Sequence, residues 1–550
     1  MIQNYRERIP EWLPRPVPNG FYRWDTSLHE SYSDSSTGTV NSSPGCGTAL
    51  AQNTHYNPVD DPLRISNLDL DILEPLEQAI RDQKVMIKHI VLIEMESIRE
   101  ELFPLQQGSP WHQIILDSHP EADHDMVNER LSKLTPNAEK ITGKPGGFLN
   151  PAGHPYEHSR ENDNWKGPAE GFGGVNIVGA FTSSSKSSKA FLGSHCGVWP
   201  LAVDGLEEAE CQVYQPCLPQ ILDMFNAKKA KVTDLDQSDM RNWPWDHMFC
   251  QAVTEDYDRQ DEIDEKIGFN KVVASSTLDR EAASVPGMRP LHYFGYAEPY
   301  TKHHMEEFID RSIAANTRLF LSHFTSSTHH PWKTPPEWES KAYMGKKAAA
   351  GVNHRDFDSY LDAVGFHDWW LGEMMRMLED KGIADETLVV LVGDHGQPFL
   401  EDTATLGTFD NGHASSFRVP ISLYHPRLPR VQHGANATAV SVLPTVLDLL
   451  ASSGSLGDGD ACAARDLLAD YEGQSLIRPY KAREDGRRAW NFGVANLGGR
   501  VRWISQQIDL PLFCLFPEFR DMLHGFGSHK GCTLMHKCLA TLVFRFSYPF

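Results

Sequence analysis

Apolar positions along the chain fall into two patterns. One is a short unbroken run that ends in polar residues: KHIVLIEMES (88–97), RLFLSHFTSSTHHPW (318–332), TLVVLVGDHG (387–396) and VPISLYHP (419–426). Runs of this kind predict strands buried on both faces, as in parallel sheets. The other is three-and-four spacing. In DFDSYLDAVGFHDWWLGEMMRMLEDKG (356–382), Phe357, Tyr360, Leu361, Val364, Leu371, Met374, Met375 and Leu378 follow it, and Gly382 closes a predicted helix. Further helices are predicted over AVSVLPTVLDLLAS (439–452) and Leu63–Asp82. A helix start is expected in SSKAFLGSHCG (187–197), behind a run of serines. Residues 1–60, rich in Pro, Ser, Asn and Gly, read as a flexible leader, and 144–174 read as loop.

Strand, loop, helix, strand, helix, strand is the order of an α/β domain. In open α/β sheets, ligands bind beyond the carboxyl ends of the strands. Three of the runs end in groups suited to metal binding or proton transfer: Glu96, His329, and the adjacent Asp394 and His395. One site fed by distant segments is therefore expected. A carboxylate beside an imidazole suits a divalent cation such as Zn²⁺ or Mn²⁺. Glu94, one strand period before Glu96, shares its face and reads as support for it. His367 and Asp368, mid-helix beside two tryptophans, read as packing residues.

Composition narrows the class. The 550 residues carry 51 Lys and Arg against 74 Asp and Glu, a net charge of −23. A nucleic-acid binder or a basic membrane-docking protein would show the opposite balance. Nine cysteines without a CxxC pair disfavour a zinc ribbon or a thioredoxin-type motif. Cys211 with Cys217, or Cys532 with Cys538, are candidate disulfides. The opening MIQNYRERIPEWLPRP has no signal-peptide character, and no apolar run reaches the ~20 residues needed to span a bilayer.

Five of these segments occur in a recognisable order. VLIEMES ends in Glu96, and a serine-rich loop opens a helix at KSSKAF. THHPW, YLDAVGFHDWWLGEMMRMLEDKGIADETLVVLVGDHG and NGHASSFRVPISLYHP follow. Together, over about residues 86–450, they resemble the sulfatase-like branch of the alkaline phosphatase superfamily. That branch includes lipoteichoic acid synthases, phosphoethanolamine transferases and fungal sulfatase-domain proteins.

The resemblance implies a three-layer α/β sandwich with a large, mostly parallel central sheet and a small C-terminal α+β subdomain. The expected divisions are a leader (1–60), a helical lead-in (61–85), a catalytic domain (86–455) and a C-terminal subdomain or poorly ordered tail (456–550). It implies a divalent metal (Mn, Zn or Ca) held by Glu96, Asp394 and His395. Ser187 takes the nucleophile position, with Ser185 and Thr182 as competing registers. His329 and His413 are the expected substrate-binding or leaving-group histidines, and Lys189, with Lys186, the expected charge-neutralising cation. No C-x-P-x-R or S-x-P-x-R stretch is present, so the formylglycine aldehyde of true sulfatases is not expected. The implied activity is metal-dependent hydrolysis of a sulfate or phosphate ester on a glycan, lipid or small molecule. Transfer of a phospho-headgroup, or a catalytically dead binding protein, are the alternatives. Proteins of this branch act mostly in the secretory pathway or outside the cell.

Overall fold

The computed structural model describes residues 9–24, 64–82, 84–156, 164–201, 203, 205–230, 236–347, 354–399, 413–495 and 500–504. Eight strands form one sheet: β1 (His89–Met95), β2 (Val175–Val178), β3 (Trp245–Gln251), β4 (Val272–Val273), β5 (Arg318–Phe324), β6 (Thr387–Gly393), β7 (Ile421–Tyr424) and β8 (Val431–Gly434). Their order across the sheet is β4-β3-β5-β1-β6-β7-β2-β8. Neighbours run parallel except at β7, which opposes both β6 and β2.

The strand side chains alternate between two apolar clusters, as the period of two requires. Ile90, Leu92, Phe320, Leu388 and Val390 enter one; Val91, Ile93, Leu319, Leu321, Val389 and Leu391 enter the other. The first face is covered by α1 (Ser187–Cys196), α2 (Leu218–Lys229) and α4 (Val442–Ser452), through residues such as Phe191, Ile221 and Leu447. The second is covered by α3 (His354–Asp380), through Phe357, Tyr360, Leu361 and Met374. This is the expected three-layer α/β sandwich. Both faces are buried, which explains why β1, β5 and β6 read as unbroken apolar runs. Each large side chain so buried contributes about 1.5–3 kcal/mol.

The four predicted strands are β1, β5, β6 and β7. Strands β2, β3, β4 and β8 were not anticipated. β3 reads WDHMFCQ, and its Asp246, His247 and Gln251 break the apolar pattern. The predicted helix over Leu63–Asp82 forms only as Glu74–Arg81, with a proline in its first turn. That proline fits a helix start and cannot sit in a helix interior.

Three further readings are corrected. Within the supposed leader, residues 9–24 are packed: Leu13, Phe21 and Trp24 join the first core cluster, and Arg23 pairs with Asp470 at 3.2 Å. No break falls at 455, because Leu456, Ala461, Leu467 and Ile477 belong to that same cluster. Cys217 is bonded to Cys196, tying α1 to the start of α2, rather than to Cys211. Asn491–Ala495 pairs with Arg500–Ile504 as an antiparallel hairpin; the Cys532 and Cys538 pairing lies outside the described residues. No helix among the described residues is long and apolar enough to cross a membrane.

Candidate active site

Met95 and Gly393 are register partners on adjacent parallel strands. The chain therefore leaves β1 and β6 at the same level, and Glu96 and Asp394 emerge side by side. Asp394 Oδ1 accepts from the backbone N–H of Ser97 at 2.7 Å and of His395 at 2.6 Å. Glu96 Oε1 accepts from the Ser97 hydroxyl at 2.6 Å. Thr325 and Thr328, at the end of β5, hold the Glu96 backbone: Thr325 Oγ1 accepts its N–H at 3.1 Å and Thr328 Oγ1 donates to its carbonyl at 2.5 Å. His395 Nε2 lies 3.5 Å from Glu96 Oε1 and 3.4 Å from Asp394 Oδ2. One ligand atom each from Glu96, Asp394 and His395 fall within 4.8 Å of one another.

Two buried carboxylates this close repel each other. Burial first, and the Glu96 charge second, push Asp394 well above the usual carboxylate range. Burial would raise Glu96 too, but His329 and His395, with the Ser97 hydroxyl, hold it below its ordinary value. Asp394 Oδ2 is buried and has no hydrogen-bond donor. An orphaned carboxylate oxygen facing a second carboxylate and an imidazole is what a divalent cation satisfies, so the donor set fits the metal that the sequence implies.

Ser187 opens α1 and points into this group. Its Oγ donates to Glu96 Oε2 at 3.1 Å and lies 3.3 Å from His395 Nε2. Thr182 Oγ1, a competing register, turns back to the carbonyl of Ser184 at 2.8 Å. Ser185 is pinned through its backbone, its N–H bonding Val494 O at 3.0 Å, and Val494 N–H returns to Ser183 O at 2.9 Å. The C-terminal hairpin thus braces the loop that presents Ser187. The Lys186 side chain does not cap α1, and within the first turn the Lys189 N–H bonds the Lys186 carbonyl at 3.1 Å; a helix start without a side-chain cap suits an anion.

The two lysines are not brought to this cluster. Lys189 is buried, with Nζ 2.6 Å from Glu208 Oε2 and 2.6 Å from the carbonyls of Leu201 and Val203. Lys186 pairs with Asp258 at 2.9 Å. Lysine at a helix start reads as a loop cation in sequence, and only the fold reveals buried carboxylate partners. His329 stands on the rim, half-buried, its ring 4.3 Å from that of Phe294 and its charge felt by Glu96. His413 caps a short turn, with Nδ1 3.0 Å from Ser415 Oγ. That turn abuts the end of β6: Gly396 N–H donates to Ser416 O at 3.0 Å, and a Cβ on Gly396 would lie 1.9 Å from Ser415 O. His413 itself is not among the three clustered ligands.

Ser97, Thr325 and Thr328 support the site without any signal of that role in the sequence. The SS-T pattern after β5 was visible, but nothing in it signals a bond to a residue more than two hundred positions away.

Residues 223–452 match the family model described as Sulfatase. This segment is therefore similar to the sulfatase family. It contains His329, Asp394, His395 and His413, and leaves Glu96 and Ser187 upstream. Among curated proteins, the chain is 24% identical over 201 residues to lipoteichoic acid synthase 1 of Bacillus subtilis, covering 34% of the chain and 28% of that protein. It is 26% identical over 249 residues to human steryl-sulfatase, covering 42% of the chain and 37% of that protein. The matches thus span about a third of these relatives' lengths. Among solved structures, a lipoteichoic acid synthase of Listeria monocytogenes superposes with a TM-score of 0.46 at 13% identity, over 84% of this chain and 98% of that one. An alkaline phosphatase superfamily protein of Vibrio parahaemolyticus gives 0.47 at 13% identity, over 85% and 96%.

Proposed function

We propose that the protein hydrolyses sulfate or phosphate esters, with Ser187 as nucleophile and a divalent cation held by Glu96, Asp394 and His395. The observation that carries this is the position of Ser187 Oγ, within hydrogen-bond reach of both Glu96 and His395 at an uncapped helix start. When bound, the cation would supply positive charge that stabilises the serine oxygen and the substrate's oxyanion.

The chain's own groups account for the rest. The α1 amides orient the non-bridging oxygens of the ester. The Ser187 hydroxyl proton points at Glu96 Oε2, the acceptor that the geometry offers. As the Oγ bond to phosphorus or sulfur forms, the ester oxygen leaves and takes a proton from His329 on the open side. Water then attacks the same atom and frees Ser187. An acceptor alcohol in place of that water would make the protein a transferase, a reading supported by the lipoteichoic acid synthase match.

The test is hydrolysis of aryl phosphate mono- and diesters and aryl sulfates by the metal-supplemented protein, before and after Ser187→Ala. The expected loss is about 10³-fold or more. Undiminished turnover in the alanine variant removes Ser187 from the mechanism. Product analysis with added glycerol separates hydrolysis from transfer.

A further inference from the structure

Two groups among the described residues bring three His or carboxylate ligand atoms within 4.8 Å of one another. One is the candidate active site. The other is Glu281, His303 and His304. Glu281 lies in the last turn of the helix Ser275–Ala282, and the two histidines lie in the first turn of the helix Lys302–Ala314. The chain between them, 283–301, carries His292, Tyr293 and Phe294, and Phe294 packs edge-on against His329 at the rim of the active site.

We propose that Glu281, His303 and His304 form a second metal site, of the zinc class, that clamps these two helices together and thereby fixes the connection that walls the active site. The three ligand atoms converge on one point. His304 Nε2 is 2.9 Å from Glu281 Oε1 yet is buried without a properly directed hydrogen bond, and His303 Nε2 stands 3.4 Å from the same oxygen. The two imidazoles lie with ring centres 3.9 Å apart, tilted by 36°. Two imidazoles and one carboxylate form a recurrent zinc donor set. Glu307 follows His303 by four positions on the same helix and acts electrostatically on His304, so a further carboxylate stands near the group. The side-chain exposures are 16% for His304, 29% for Glu281 and 51% for His303, shielded on one side and open to solvent metal on the other.

A metal here has a mechanical consequence. It would close a loop of about twenty residues at its two ends, which costs the unfolded chain entropy and holds Phe294 against His329. The site does not depend on the ester-hydrolase reading, because none of its ligands belongs to the Glu96 cluster.

The test uses full-length, chelator-stripped protein and Zn²⁺ or Co²⁺ alone as probe. Bound equivalents are measured by equilibrium dialysis for the wild type, Glu281→Gln, the double variant His303→Ala with His304→Ala, and Asp394→Ala. Both outer-site variants are expected to bind one equivalent fewer than the wild type. Asp394→Ala should retain the outer equivalent, and with Co²⁺ it should show visible d–d absorption that Glu281→Gln added to it abolishes. Far-UV circular dichroism confirms folding, and Glu281→Gln, nearly isosteric, stands in if the double variant unfolds. Equal numbers of equivalents in the wild type and Glu281→Gln, or no metal bound by folded Asp394→Ala, would overturn the proposal.

Discussion

The backbone N–H of Ser97 donates to Asp394 Oδ1 at 2.7 Å, and Ser97 holds a left-handed backbone, φ 53°, at that position. Its hydroxyl meanwhile bonds Glu96 at 2.6 Å, so one residue orients both carboxylates. A non-glycine residue in this region stores about 1–3 kcal/mol of strain. Glycine relieves the strain and keeps the N–H but loses the hydroxyl; isoleucine keeps neither the conformation nor the bond. Ser97→Gly is expected to melt at or above the wild-type temperature while metal affinity falls about 10-fold or more. Ser97→Ile should lose both stability and metal. Calorimetry with metal titration separates the two, and equal destabilisation in both variants would contradict the strain argument.

The abutting carboxylates yield a second prediction. Without a cation, Asp394 is strained by burial and by Glu96. Metal binding to the folded state alone raises stability by about 2.7 kcal/mol at a hundredfold excess over Kd. Wild-type protein should therefore melt lower after chelation and recover with added divalent ion. In Asp394→Asn the repulsion is gone and the ligand lost, so melting should be higher than in chelated wild type and less responsive to metal. The contribution of the Glu281 site is removed by doing the comparison in a Glu281→Gln background.

Lys189 can be tested against its earlier expected role. Its ammonium is buried against Glu208, which burial raises and Lys189 lowers. Removing one partner of a buried pair costs about 3–5 kcal/mol. Lys189→Ala is expected to lower thermal stability sharply, whereas the paired replacement of Lys189→Met and Glu208→Leu should recover most of it. Turnover per folded molecule should stay within a few-fold of wild type in the paired variant. A well-folded paired variant with activity lost a hundredfold would restore Lys189 to the chemistry.

How much of this was legible in the sequence follows from how each residue is held. Glu96, Asp394 and His395 could be read because each ends an apolar run, and a parallel sheet delivers such ends to one edge. Ser187 could be placed because a helix start was visible behind it. Thr325 and Thr328 could not, since their partner lies on another strand and polar loop residues carry no register information. Lys189 was misjudged for the same reason: its partner, Glu208, sits on a separate short helix, Gly205–Glu210, whose packing against α1 no local pattern announces. Strand β3 was missed because Asp246 and His247 find partners in Lys271 and Asp223, which lets polar side chains occupy a strand. The Glu281, His303 and His304 group is not legible in the sequence because its members come from two helices with unremarkable patterns.

Buried histidines make the stability of the fold depend on pH. His195 is fully buried, with Nδ1 3.0 Å from Phe191 O and Nε2 2.8 Å from Ser322 Oγ, and burial pushes it down to about 3. Burial also holds His367 at about 3 and His323, which accepts from Trp370 Nε1 at 2.9 Å, at about 4. Their unfolded values lie near 6.5. Below that pH the unfolded chain binds protons that the folded one does not, so the stability these groups contribute is complete above about 6.5 and is lost as pH falls toward 3 to 4. Each such histidine costs about 1.4 kcal/mol per pH unit across that window. Asp368, raised by burial to about 7, works in the opposite direction, since its contribution is complete below the normal Asp range and lost as pH rises toward 7. Burial raises other carboxyls too, Asp394 and Glu208 among them, so the histidine contribution is read from the difference between wild type and a histidine variant. Denaturant melts at half-unit steps from pH 7 to 4 give the slope for each. His195→Gln should make the slope shallower by about one proton whatever its effect on absolute stability, and an unchanged slope would mean that His195 is already protonated in the folded protein.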